Sequence, residues 1–178
     1  STFAQTPAPA TTPTAPAPAP KPATVRVALT TTLGPIVLEL EKERAPVTTA
    51  NFLRYVDQKR FDGIMFYRAM KIEGAPNLGL IQGGARNDPK RVLPPIKHEP
   101  TTQTGLSHGD GTISVARGAP GSANADFFIT IGGLTTLDAD PKAAGDNLGF
   151  AVFGRVTEGM EIVRKIWEAP RSATAGAG

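Results

Sequence analysis

Short apolar runs of strand length, set apart by loops rich in Gly and Pro, most limit what this chain can fold into. Val25 to Thr31 alternates apolar and polar residues. A second run, residues 36–40, follows Gly34-Pro35, so the two read as a hairpin with one buried face. Residues 64–69, 78–82, 112–116, 126–131 and 150–156 read as further strands. Pro46 opens a helix whose apolar stripe is Val47, Ala50, Leu53 and Val56. Thr157 caps a second helix, with Met160, Val163, Ile166 and Trp167 as its apolar face. The order is β-β-α, then strands with long loops, then α, which does not repeat βαβ units. It predicts a mostly β fold, an antiparallel barrel or sandwich with a helix plugging each open end.

One residue stands out within that frame. Arg68 interrupts the apolar, aromatic run 64–69, and the partner run 78–82 closes on Gly83-Gly84. A guanidinium cannot shed its proton, and burying it unpaired is very costly. Arg68 therefore either faces solvent on an edge strand or pairs with something beside a cleft. Residues 88–110 and 134–149 are loops, and a loop of such length inside a compact domain usually carries function.

Composition narrows the chemistry. With 178 residues the chain suits one domain with its own core. It has no Cys, which removes disulfides, thiolate metal sites and Cys nucleophiles together, and its two His are too few for most zinc sites. Net charge is +3, but no Lys/Arg run interleaved with aromatics occurs, which argues against nucleic acid. No apolar run approaches bilayer length. Residues 1–24 are Ala, Pro and Thr of low complexity, a polyproline-type spacer on the order of 60–70 Å long. Such a spacer suits an exported, periplasmic protein, with a cytoplasmic linker as the alternative. Phe3-Ala4-Gln5 fits the remainder of a signal-cleavage site. The folded domain is placed at 25–170 and a short tail at 171–178.

Five motifs carry a family resemblance. Phe66-Tyr67-Arg68, Leu80-Ile81-Gln82-Gly83-Gly84, Gly111-Thr112-Ile113-Ser114-Val115-Ala116-Arg117, Asp126-Phe127-Phe128-Ile129 and Phe150-Ala151-Val152-Phe153-Gly154 occur in that order. Each alone is weakly specific, but the ordered set resembles the cyclophilin-type peptidyl-prolyl isomerases, from about Val25 to Trp167. The long prolyl loop and Gly149-Phe150 are similar to the bacterial, exported branch.

The resemblance implies a closed eight-stranded antiparallel barrel capped by two helices. It implies cis-trans isomerisation of X-Pro bonds in proline-containing unfolded or extended polypeptides, by a monomer without cofactor or metal. Arg68 matches the catalytic Arg and Gln82 the residue that holds it. Leu80, Phe128 and Leu137 match the pocket for the proline ring, flanked by Phe66 and Phe150. Ala116 and Arg117 match the segment that pairs with the peptide, and Asp126 lies beside the site.

Four departures stand beside the match. Gly79 falls where a pocket Phe is usual, so the pocket is either shallower or filled from Leu78. Asp126 replaces a common Gln, Thr136 falls where animal members have Trp, and Phe150 replaces a pocket His. The family's last strand has no candidate after Trp167. Gly79 and Asp126 support an alternative, a proline-peptide-binding or chaperone module with weak turnover. Other constellations read more simply as structure. Ser107, His108 and Asp110 are near neighbours in one loop, unlike the converging members of a triad. Asp138, Asp140 and Asp146 lack the calcium-loop pattern, and His98 beside Glu99 reads as a surface pair.

Overall fold

The computed structural model describes residues 21–169 except 146. Most of the proposed spacer, all of the proposed tail and Asp146 lie outside the described residues. Seven strands form one antiparallel sheet in the order β1-β2-β7-β5-β6-β4-β3. They are β1 (Val25–Thr31), β2 (Gly34–Leu40), β3 (Met65–Ile72), β4 (Ala75–Gly84), β5 (Thr112–Val115), β6 (Phe127–Ile131) and β7 (Ala151–Glu158). The helices are α1 (Pro46–Asp57), the one-turn α2 (Thr101–Thr104) and α3 (Met160–Glu168), with a 3₁₀ turn at Thr135–Leu137. The fold is mostly β, as the strand pattern and the resemblance imply, but the eighth strand is not seen among the described residues.

Strand periodicity separates two faces. Ile81, Ile129 and Ile113 stand side by side across β4, β6 and β5 and are fully buried. Their neighbours in sequence turn to the opposite face, because successive strand side chains alternate. The inner face curls around an aromatic centre in which Phe52 of α1 lies 5.0–5.4 Å from Phe61, Phe127 and Phe153. Each such ring stabilises the fold by about 1.5–3 kcal/mol through burial. At the other end α3 sends Ile162, Val163 and Trp167 into the same core.

Two helix expectations change. The buried residues of α1 are Thr48, Thr49, Asn51, Phe52 and Tyr55, while Val47 and Ala50 face solvent. Loop polar groups turn the helix this way: both the Thr48 N–H and its hydroxyl donate to the Glu99 carboxylate at 2.6 Å, and Asn51 Nδ2 donates to the Asn124 carbonyl. Glu99 is thus buried in a hydrogen-bonded site and is not half of a surface pair with His98, whose Nε2 meets the Leu148 carbonyl. Thr157 is not a helix cap. It lies in β7, and Gly159, at φ +87°, precedes α3 instead. That left-handed turn favours glycine, and a Cβ there would meet the Pro35 carbonyl at 2.3 Å.

The sheet ends on β1 and β3, and these two edges face each other across a cleft of about 1040 Å³ lined by Val27, Leu29, Ile64, Phe66 and Ala69 among others. Gly79 lies midway along β4, paired with Ile131 of β6. The Trp167 indole N–H donates to the Met70 carbonyl at 2.8 Å in the space a side chain at 79 would take. A Cβ on Gly79 would sit 2.1 Å from that carbonyl and 2.6 Å from the indole nitrogen. Gly79 is therefore a packing requirement of α3 and not a vacant pocket position. Gly79→Ala should lower stability by about 1–3 kcal/mol or more through overpacking. A urea titration checks this, and an unchanged midpoint would mean that the Trp167 contact does not constrain the strand.

Candidate active site

The outer face of β3, β4 and β6 carries a row set by register. Arg68 pairs with Gln82 and Gln82 with Phe128, so the three lie abreast. Two strand spacings, about 9–10 Å, separate the backbone of Arg68 from that of Phe128. One step along, Met70 pairs with Leu80 and Leu80 with Thr130. The two rows thus set Met70, Leu80 and Phe128 beside the cation of Arg68.

The guanidinium is held, though loosely. Nη1 donates to Gln82 Oε1 at 3.4 Å, Nη2 lies 3.4 Å from Met70 Sδ, and the buried Nε has no hydrogen-bond partner among the described residues. Leaving a charged donor unsatisfied is expensive. The donors that keep spare capacity are Nη1 and Nη2, each held by one long contact, whereas Nε is enclosed.

A β-bulge sits at this point, between Phe66 and Arg68. In a regular strand Tyr67 would turn away from Arg68, but the extra residue re-aims it. Gln82 Nε2 donates to the Tyr67 hydroxyl at 2.9 Å, and that hydroxyl donates to Asp126 Oδ2 at 2.7 Å. Burial, and then the Asp126 carboxylate, push the Tyr67 phenol well above its usual range, so it keeps its proton. Asp126 Oδ1 accepts from the Arg86 N–H at 3.0 Å, and the Arg86 guanidinium lies over the Tyr67 ring.

The other wall comes from the long loops. Phe150 meets Phe128 edge to face at 5.4 Å, and the Phe150 N–H donates to the Leu137 carbonyl at 3.0 Å. The Arg117 guanidinium grips the Gly149 carbonyl through Nε and Nη2 and lies over the Phe150 ring. Gly149, at φ +59°, lets the two loop segments close, since a Cβ would strike the Leu137 carbonyl. The Ala116 N–H is taken by the Asp126 carbonyl at 2.8 Å. The structure therefore gathers Arg68, Gln82, Leu80, Phe128, Asp126, Ala116, Arg117, Leu137 and Phe150 around one surface. Phe66 is not among them: it turns inward, edge-on to Phe127 at 5.9 Å, because it is paired with Gly83 on the core side of the bulge.

A buried polar group behind the wall was not legible in sequence. His108 is fully buried and stacked on Phe128 at 5.9 Å with rings 8° from parallel. Its Nδ1 faces Asp138, thirty residues away, which also accepts from Ser107, and its Nε2 lies 3.0 Å from the Ser114 hydroxyl. Asp138, not Asp110, is the acid partner. Asp138 can only accept, so Nδ1 carries the proton and Ser114 donates to Nε2. Ser114 is itself wholly buried, which leaves no route for a substrate to its hydroxyl. The group braces the pocket floor. Among the described residues no set of three or more His, Cys, Asp or Glu is placed to hold a metal, and no helix is long and apolar enough to cross a membrane.

Known proteins bear on this arrangement. Residues 26–176 match the family model described as cyclophilin type peptidyl-prolyl cis-trans isomerase/CLD. A peptidyl-prolyl cis-trans isomerase of Acinetobacter baylyi is 37% identical over 150 residues, covering 82% of this chain and 73% of that protein. One of Streptomyces antibioticus, called cyp18, is 39% identical over 144 residues, covering 79% of this chain and 81% of that protein. A Cryptosporidium parvum cyclophilin-type isomerase, crystallised in the presence of the dipeptide Ala-Pro, superposes with a TM-score of 0.68 at 21% identity, over 85% of this chain and 90% of its own.

His108 gives stability a pH dependence. Burial lowers its pKa from the ordinary 6.5, against the opposing pull of Asp138. The unfolded imidazole then takes up a proton that the folded one refuses, so stability falls as pH drops through about 6.5. The slope reaches at most about 1.4 kcal/mol per pH unit for one proton. Urea midpoints measured from about pH 7.5 to 5 should fall for the wild type and fall less for His108→Gln. Equal slopes would show that this imidazole does not carry the effect.

Proposed function

We infer, since this chain belongs to the cyclophilin-type peptidyl-prolyl cis-trans isomerase family, that it isomerises X-Pro bonds with Arg68 as the catalytic cation. Phe128, Leu80, Leu137 and Phe150 form the seat of the proline ring. The observation that carries the reading is the row Arg68–Gln82–Phe128, in which the guanidinium is held only by two long, neutral contacts at 3.4 Å.

Rotation about a peptide bond faces a barrier of about 18–20 kcal/mol, because resonance gives the C–N bond double-bond character. Half-way through rotation that resonance is lost, the proline nitrogen becomes pyramidal and it regains its lone pair. An N–H of Arg68 donates to that nitrogen, a contact that is weak in the planar ground state, so the binding is selective for the twisted form. The apolar seat excludes water and strengthens the contact. Bringing tens of seconds down to milliseconds takes about four decades, or about 5–6 kcal/mol. One charge-assisted hydrogen bond supplies about half. Holding the ring while the chain on one side turns supplies the rest.

The Ala116 N–H is already spent on Asp126. The Ala116 carbonyl is then the group that accepts from an extended substrate backbone, with Arg117 fixing the wall beside it. The substrate class is extended, proline-containing polypeptide, taken by a monomer. The Ala/Pro-rich residues 1–24 support export, with a cytoplasmic location as the alternative that cell fractionation separates.

Arg68→Ala should cost about a hundredfold or more in the rate of Ala-Pro peptide isomerisation while leaving the fold intact. Arg68→Lys should recover little of it, because an ammonium lacks the planar fork that meets Gln82 and the substrate together. Phe128→Ala should show first as weakened peptide binding. Exchange spectroscopy on one Ala-Pro peptide reads all three, and near-wild-type turnover in Arg68→Ala would rule out the assignment.

A further inference from the structure

The hydrogen bonds that reach Arg68 have a direction, and Asp126 sets it. A carboxylate only accepts, whereas a phenol has one proton to give and an amide has one accepting end and one donating end. With Asp126 Oδ2 at 2.7 Å, the Tyr67 proton is committed to the carboxylate. The Tyr67 oxygen is then free only to accept, and the group 2.9 Å away must be the Gln82 NH₂. Gln82 consequently turns its oxygen, not its NH₂, toward Arg68 Nη1. Reversing the first bond would reverse the amide and set donor against donor at the guanidinium.

We propose that Tyr67 and Asp126 are positioning residues for isomerisation, a relay that fixes the amide orientation of Gln82 and through it the aim of Arg68. Three features support the relay. The bulge in β3 is what allows the consecutive residues Tyr67 and Arg68 to reach the same glutamine. The second carboxylate oxygen is fixed by the Arg86 N–H, and the phenol ring is covered by the Arg86 guanidinium 4.7 Å above it. Gly84 leaves room for the carboxylate, since a Cβ there would sit 2.3 Å from Asp126 Oδ1. The acid at 126 is thus a component of the catalytic support, with its charge directed at Tyr67 and away from the peptide.

The proposal rests on the isomerase reading and is tested inside it. Tyr67→Phe removes the relay, and kcat for an Ala-Pro peptide should fall about tenfold with peptide Kd within about twofold of wild type. Asp126→Asn frees the Tyr67 proton and should cost about threefold. The decisive comparison is the Tyr67→Phe change made in a Gln82→Glu background. A carboxylate at 82 offers oxygen to Arg68 whichever way it turns, so the tenfold penalty should vanish there. Unchanged kcat in Tyr67→Phe, or the same fold loss in both backgrounds, would overturn the relay. Should Gln82→Glu be too slow to assay, the Arg68 guanidinium NMR signals in Tyr67→Phe decide: displaced signals support the proposal and unmoved ones overturn it. A wild type without turnover would instead defeat the isomerase reading itself.

Discussion

A permanent cation on an apolar wall has to be held by neighbours that cannot neutralise it, and much of the outer face is arranged around that need. Carboxylates in direct contact would quench the Arg68 guanidinium and compete with any substrate nitrogen. Its contacts are instead an amide oxygen and a thioether, both at 3.4 Å and both neutral. The nearest acid in the network, Asp126, stands three hydrogen bonds back, behind Tyr67 and Gln82. Orientation reaches the cation while full countercharge does not, which leaves donor capacity for a weak, transient acceptor.

The inner face makes this affordable in structural terms. Phe52 packs tilted against Phe61 and Phe153 and edge to face with Phe127 where α1 enters, and α3 adds Trp167 to the same core. With the core complete on one side of the sheet, the outward residues Leu80, Phe128 and Thr130 of β4 and β6 are covered by the loops. Residues 132–150 are one such loop: Leu137 and Phe150 are joined by one backbone hydrogen bond, clamped by Arg117 and braced from behind by His108 and Asp138. Rigidity at the seat matters because one end of the substrate must stay still while the other turns.

Several parts were legible from residues alone. Residues 126–131 read as a strand, and the charge of Arg68 in an apolar strand required a partner or a cleft. The ordered motifs implied the family and most of the residues now found together. Other parts were misread for identifiable reasons. The stripe on α1 was displaced because Glu99 and Asn124 capture Thr48 and Asn51, and such capture leaves no periodic trace. Thr157 looked like a cap but pairs within β7, while glycine at 159 makes the turn. Gly79 looked like a missing pocket residue, but its neighbour is an indole from the far end of the chain.

The sequence by itself determined what is set by local chemistry and element order: strands from short apolar runs, an antiparallel arrangement from the absence of βαβ repeats, and a cation within an apolar strand. Only the tertiary structure decided which groups share a hydrogen bond. Tyr67 joins Gln82 and Asp126 through one bulged residue, and His108 meets Asp138 across thirty positions. The reason is physical: alternation and propensity act over a few residues, whereas register, bulges and loop closure are settled by packing among segments far apart in the chain.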